Sequence, residues 1–248
     1  AGPPTGSAIS RLRRPSGRQI LGRERIEIVG PGGGMGQKPL VYGQEPGDIE
    51  ARQTCARAVA AFGLDDVNTL AQLEAAIGEE FDRTIGRIDN ATTDESGSVA
   101  WGRLDDDTGY LIMVAFEGIS GQDDPVADRE TLRTALDTAI SDLAGIDRLV
   151  VDMRFNAGGY EDLAVVAAGY FVDQTTPGYR KWAHAQPDAF VQTIDIEPQR
   201  AYFTGEVTVL TSPVTASAAE VFTLAMVEVA DATIVGNPSF GEFSDAID

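Results

Sequence analysis

The chain has 248 residues, 43% of them hydrophobic, and is strongly acidic: 39 Asp and Glu against 19 Lys and Arg give a formal net charge of -20. That length suffices to bury a core, the mean hydropathy of -0.10 fits a soluble globular protein, and no apolar run reaches the ~18 residues of a membrane span. The acidic balance repels phosphates and argues against general nucleic-acid binding, while the lone Cys55 permits no internal disulfide and no cysteine-based metal site.

The charge is uneven. Residues 1–43 carry seven bases against Glu24 and Glu27, leaving -25 on the remainder. Within them, Ile26-Glu27-Ile28-Val29 reads as a strand, followed by a glycine loop and a second strand through Leu40-Val41-Tyr42. The glycines do not keep G-x-G-x-x-G spacing, and Pro39 blocks the helix that would receive a pyrophosphate, so a dinucleotide fingerprint is excluded. Residues 1–48 are taken as a basic strand and loop segment.

Two helices follow. Cys55, Ala58, Val59 and Phe62 form one apolar stripe, ended by Gly63; Leu70, Leu73, Ile77 and Phe81 form the next, with Asn68 as a cap. The polar stretch 90–98 reads as a linker, so residues 49–95 are a helical segment and linker, and residues 96–248 an α/β core.

Residues 109–116 read as a strand and 118–124 as an acidic loop whose carboxylates keep no metal-ligand spacing. Asp124-Pro125 is a cap and first-turn pair for a helix carrying Leu132, Leu136, Ile140 and Leu143, stopped by Gly145. Residues 149–155, with five apolar positions in seven, suit a strand covered on both faces. Asn156-Ala157-Gly158-Gly159 then turns into a helix with Leu163, Val166, Ala167, Tyr170 and Phe171 at helical spacing. Residues 206–212 form another strand, and Ser217 opens a helix carrying Val221, Phe222, Ala225, Met226 and Val229. Ser217-x-x-Glu220 is a capping-box pattern, so Glu220 is expected to cap its own helix. Strands alternating with helices predict a largely parallel sheet with crossover helices. A glycine turn offering backbone donors beside a turn offering a hydroxyl supplies the parts of an acyl-transfer site.

Three segments in order carry a family resemblance. Leu149-Val150-Val151-Asp152-Met153-Arg154-Phe155-Asn156-Ala157-Gly158-Gly159 resembles the "DxRxNxGG" strand and turn of the C-terminal processing peptidase and tricorn protease family of serine peptidases. Thr215-Ala216-Ser217-Ala218-Ala219-Glu220 resembles its nucleophile segment, and Ile234-Val235-Gly236-Asn237-Pro238-Ser239-Phe240-Gly241 its "VVGexTxG" strand and turn. Trp101-Gly102-Arg103-Leu104 through Phe116 resembles the strand ahead of the core, so the likeness covers residues 96–248.

The resemblance implies a crotonase-like α/β core and an endopeptidase acting on peptides or unfolded proteins. Ser217 would be the nucleophile, and N–H groups of Gly158 or Gly159 and of Ala218 the oxyanion hole, with Asp152 and Arg154 bracing the strand ends. No cofactor and no metal are implied. The base does not carry over. Where the processing peptidases have a lysine in a "TFGKG"-like segment, this chain has Glu242, and where the tricorn branch has a histidine, Tyr110-Leu111-Ile112-Met113-Val114 holds none. His184 is the sole imidazole, in a segment with no family counterpart. Two other readings remain: a non-catalytic peptide-binding relative, and a crotonase-like acyl-thioester enzyme using the same glycine turn. The resemblance also leads one to expect further strand and a late acidic residue beyond Asp248. The start at Ala1-Gly2-Pro3-Pro4 shows neither Met nor an apolar signal region, which suits a removed leader, and the lysine-poor, acid-rich composition suits a secreted or periplasmic protein.

Overall fold

The computed structural model describes residues 26–29, 70–183 and 191–241. The expected helix over Cys55 to Phe62 and the strand through Val41 lie outside these residues.

The centre is a six-stranded mixed sheet in the order β2 (Asp89–Thr93), β3 (Val99–Arg103), β4 (Thr108–Met113), β5 (Arg148–Asp152), β8 (Glu206–Thr211) and β9 (Thr233–Gly236). The pairs β2–β3 and β3–β4 are antiparallel, and β4, β5, β8 and β9 are parallel. Parallel neighbours require crossovers. These contain α2 (Pro125–Asp142) between β4 and β5, α3 (Glu161–Ala168) between β5 and β8, and α4 (Ala218–Ala230) between β8 and β9. Asp124 caps α2, accepting from the Val126 N–H, with Pro125 at the first turn.

Period-two alternation divides the sheet residues between two layers. Leu111, Met113, Leu149, Val151, Val207 and Val209 face the main core with α2, α3 and α4. Tyr110, Ile112 and the partly buried Val150 and Leu210 face the other side, which α1 (Leu70–Ile85) covers with Ile77, Phe81 and Ile85. A second, three-stranded antiparallel sheet has the order β1 (Ile26–Val29), β6 (Thr176–Ala183), β7 (Val191–Ile196). Its Tyr179 and Ile196 are buried in the main core. Phe222 of α4 is fully buried, its ring centroid 6.2 Å from Phe116 and 6.3 Å from Phe171. Truncating such a residue typically costs about 3–5 kcal/mol, so α4 is firmly seated on the sheet.

The structure corrects three expectations and adds two strands. The 90–98 stretch is only partly a connection: residues 89–93 form β2, an edge strand exposed along its length, so no buried alternation marks it. The 109–116 strand ends at Met113, and Val99–Arg103 forms a separate hairpin partner for it. The 149–155 strand ends at Asp152, because the Asp152 carboxylate accepts the Arg154 N–H and turns the chain. The two added strands are β6 and β7. Pro177 and Gly178 look like turn residues, but they occupy the place where the β6–β7 register shifts.

Candidate active site

β5 and β8 pair in parallel, Asp152 opposite Leu210, so the segments leaving their carboxyl ends emerge side by side. Short polar groups stitch these segments together. The Thr215 hydroxyl donates to Met153 O at 2.9 Å and the Ser212 hydroxyl to Arg154 O at 2.6 Å. Ala216 N–H donates to Asn156 O at 3.2 Å, and Asn156 Nδ2 reaches Met113 O at 3.2 Å on β4. Asn156 and Thr215 are fully buried, so these bonds satisfy groups that water cannot reach.

The result is close contact between the two turns. Gly158 has φ +100°, and a Cβ on it would lie 2.8 Å from Ser217 Cβ, 2.8 Å from Ala216 O and 3.1 Å from Ala218 N. Only glycine permits that approach. Gly159, at φ +131°, packs its Cα against the Phe116 carbonyl and forms a parallel bridge with Phe116. In that bridge Phe116 N–H donates to Gly158 O at 2.9 Å and Tyr160 N–H to Phe116 O at 2.8 Å, so the N–H of Gly159 itself faces away from it. The Gly158 N–H donates to Asn156 Oδ1 at 2.8 Å. Of the two glycines expected as donors, Gly158 therefore spends its N–H within the turn.

Ser217 is half-buried and has φ 52°, ψ -122°, a conformation costly for any residue with a side chain. It bends the chain sharply into α4. Ala218 is the first residue of that helix, so its N–H has no intrahelical acceptor. Glu220, 1% exposed, does reach back to accept the Ser217 N–H at 2.9 Å, as the spacing suggested. It also does something the sequence did not reveal. Its other oxygen accepts the Ser239 hydroxyl and the Gly241 N–H, both at 2.6 Å, while Phe240 N–H donates to Thr215 O at 2.8 Å. The turn after β9 is thus fastened to the Ser217 turn. A cleft of about 460 Å³ opens beside it, lined by Glu220, Leu224, Val227, Ile234 and Ser239 among others.

Asp152 and Arg154 form a brace. Fully buried Asp152 accepts from Tyr110 Oη at 2.7 Å and from the Arg154 guanidinium at 2.7–3.1 Å. Arg154 also reaches Thr84 Oγ1 at 3.2 Å and Glu80 at 3.7 Å, tying α1 to the end of β5. Burial, reinforced by the Asp152 charge, pushes the Tyr110 phenol well above its ordinary range. Burial opposes the Arg154 charge, but the hydrogen bonds and charge of Asp152 prevail and raise it. In the acidic loop, Asp128 is buried and accepts from the N–H groups of Gly118 and Ser120. Partial burial raises Glu117, helped by Asp128 and Asp123.

The structure thus brings Gly158, Ser217 and Ala218 together, with Gly159 the next residue. Glu242 and His184 lie outside the described residues. Gly241, one residue before Glu242, is held by Glu220. Among the described residues, no group of His, Cys, Asp and Glu is placed to hold a metal ion, and no helix is long and apolar enough to cross a membrane.

The chain matches the model of peptidase family S41 over residues 107–246. Its fold is similar to that of a candidate peptidase from Parabacteroides merdae, at 20% identity and a TM-score of 0.52, covering 65% of this chain and 49% of that one. It also resembles the photosystem II D1 C-terminal processing protease, at 25% identity and a TM-score of 0.43, over 54% of this chain and 31% of that one. The tricorn protease matches at 12% identity and a TM-score of 0.35, over 69% of this chain and 13% of that one. The chain spans about half the length of the first of these structures and less of the others. With the matched stretch exceeding half of its residues, the chain belongs to peptidase family S41.

Proposed function

We propose that this chain carries the nucleophile and oxyanion hole of a serine-type endopeptidase acting on peptides or unfolded proteins. The observation that supports this reading is the close approach of Gly158 to the Cβ of a half-buried Ser217 held at positive φ, with the Ala218 nitrogen 3.1 Å from where a Gly158 Cβ would lie. Strain of this kind costs about 1–3 kcal/mol and persists where the surrounding structure enforces it, commonly at working sites.

In the proposed reaction Ser217 Oγ bonds to the scissile carbonyl carbon as a base removes its proton. The N–H groups of Gly159 and Ala218 receive the oxyanion. Collapse breaks the C–N bond, the proton passes to the leaving amine, and water then hydrolyses the Ser217 ester. Glu242 and His184 are the candidate bases. A carboxylate of ordinary pKa near 4.3 is a weak base unless buried, so cleavage by residues 1–248 alone is expected to be feeble. The chain is divided, on this reading, into residues 1–48, 49–95 and the catalytic core 96–248, and it works in a secreted or periplasmic setting.

Glutamate at the place of the family's lysine favours one other reading, a peptide-binding relative without turnover. The test compares cleavage of an unfolded protein substrate by this chain and by a C-terminally extended one, each against its Ser217→Ala variant. Ser217-dependent cleavage in either supports the peptidase. Intact peptide binding without it supports the binding protein, and thioester turnover without peptide cleavage supports the acyl-thioester alternative.

A further inference from the structure

We infer that Glu220 is a positioning residue that locks the Ser217 turn and the 239–241 turn into one rigid unit. This rests on the serine-peptidase reading. The carboxylate is 1% exposed and lies between two segments separated in sequence by α4 and β9. One oxygen takes the Ser217 N–H at 2.9 Å; the other takes the Ser239 hydroxyl and the Gly241 N–H at 2.6 Å each. A helix cap needs only the first of these bonds. The others hold residues 239–241 against the nucleophile turn, with Phe240 N–H on Thr215 O as a second tie.

The donor set explains why the residue must be a carboxylate. Two of its donors are backbone N–H groups on opposite oxygens, and neither can reverse its role. An ionised carboxylate is acceptor-only and meets both. A glutamine presents one carbonyl and one NH2, so in either orientation its NH2 faces a backbone N–H. Aspartate is one methylene shorter and cannot span the same gap. Releasing the first oxygen leaves the strained φ of Ser217 without a restraint on its own N–H, and releasing the second loosens the turn that ends at Gly241.

Displacement of a reacting group by about 1 Å costs on the order of 100-fold in rate. Glu220→Gln is therefore expected to lower the maximal rate of Ser217 modification by a fluorophosphonate about 10- to 100-fold, with the half-saturating concentration little changed. Ser239→Ala, which removes one bond and leaves Gly241 in place, should lower the same rate about threefold to tenfold. Tyr170→Phe serves as the stability reference: it removes the phenol contacts with Asp137 and Arg133 O, outside the site, and should leave the rate unchanged. If Glu220→Gln lowers the melting temperature as Tyr170→Phe does while keeping the wild-type rate, Glu220 is only a cap and the inference is overturned. If Glu220→Gln does not fold, Ser239→Ala decides, and a full wild-type rate there overturns the inference as well. Failure of the underlying reading shows differently: the wild-type chain is then not labelled, or is labelled equally after Ser217→Ala.

Discussion

Gly158 and Ser217 approach so closely that a Cβ on the glycine would lie 2.8 Å from the serine Cβ. The same Cβ would strike Ala216 O at 2.8 Å, a backbone atom with no rotamer to yield. Gly158→Ala is therefore expected to destabilise the fold by about 1–3 kcal/mol, from the left-handed φ alone, and to separate the two turns. Thermal melting and fluorophosphonate labelling measured on one preparation test both. A variant with native melting and native labelling would refute the packing described.

Ser217 yields a prediction of opposite sign. At φ 52°, ψ -122° a Cβ is a liability. Ser217→Gly and Ser217→Ala both remove the hydroxyl, so neither should cleave peptide. Gly relieves the strain and gives back part of it through unfolded-chain entropy, so it should be more stable than Ala by about 1–2 kcal/mol. Denaturant unfolding of the pair measures this, and Ala as the more stable variant would mean the turn is not strained.

Alkaline pH should weaken the fold. Burial raises both Tyr110 and Tyr170 in the folded state, with Asp152 and Asp137 as their respective partners. Above a pH of about 10 the unfolded phenols lose their protons while the folded ones keep them, so the folded state is disfavoured as pH rises further. Their stabilising contribution is complete below about pH 10. Melting followed from pH 8 to 11 should fall at the alkaline end, and Tyr110→Phe combined with Tyr170→Phe should flatten the fall. An unchanged slope in the double variant would remove both residues from the account.

The base can be approached by substitution. If Glu242 assists Ser217, Glu242→Gln should lower cleavage by a C-terminally extended chain by about 10²–10⁴-fold, the usual contribution of a positioned general base. His184→Asn should do so if the imidazole serves instead. Strong cleavage by residues 1–248, abolished at either position, would show that the base is already present in this stretch. Loss at neither position would exclude both candidates.

The local rules that needed no tertiary structure were the strong ones. The apolar run at 149–151 marked a strand because a strand covered on both faces tolerates little else, and the β-branched residues of 206–211 marked another. Asp124-Pro125 marked the start of α2, since a side-chain cap and a fixed φ act within one turn. Ser217-x-x-Glu220 gave the bond from Ser217 N–H to Glu220 for the same reason. What failed involved partners distant in the chain. Strand β2 is exposed and held by β3, while β6 draws on β1 and β7, so neither pattern is visible in its own residues. Asn156 had to be seen in place before the Gly158 N–H could be known as taken. Glu220 reads as a helix cap in sequence, and only the return of the chain through β9 puts Ser239 and Gly241 on its second oxygen. Capping and burial are decided over a few residues; which donors a buried carboxylate meets is decided by strand order, and strand order is a property of the whole sheet.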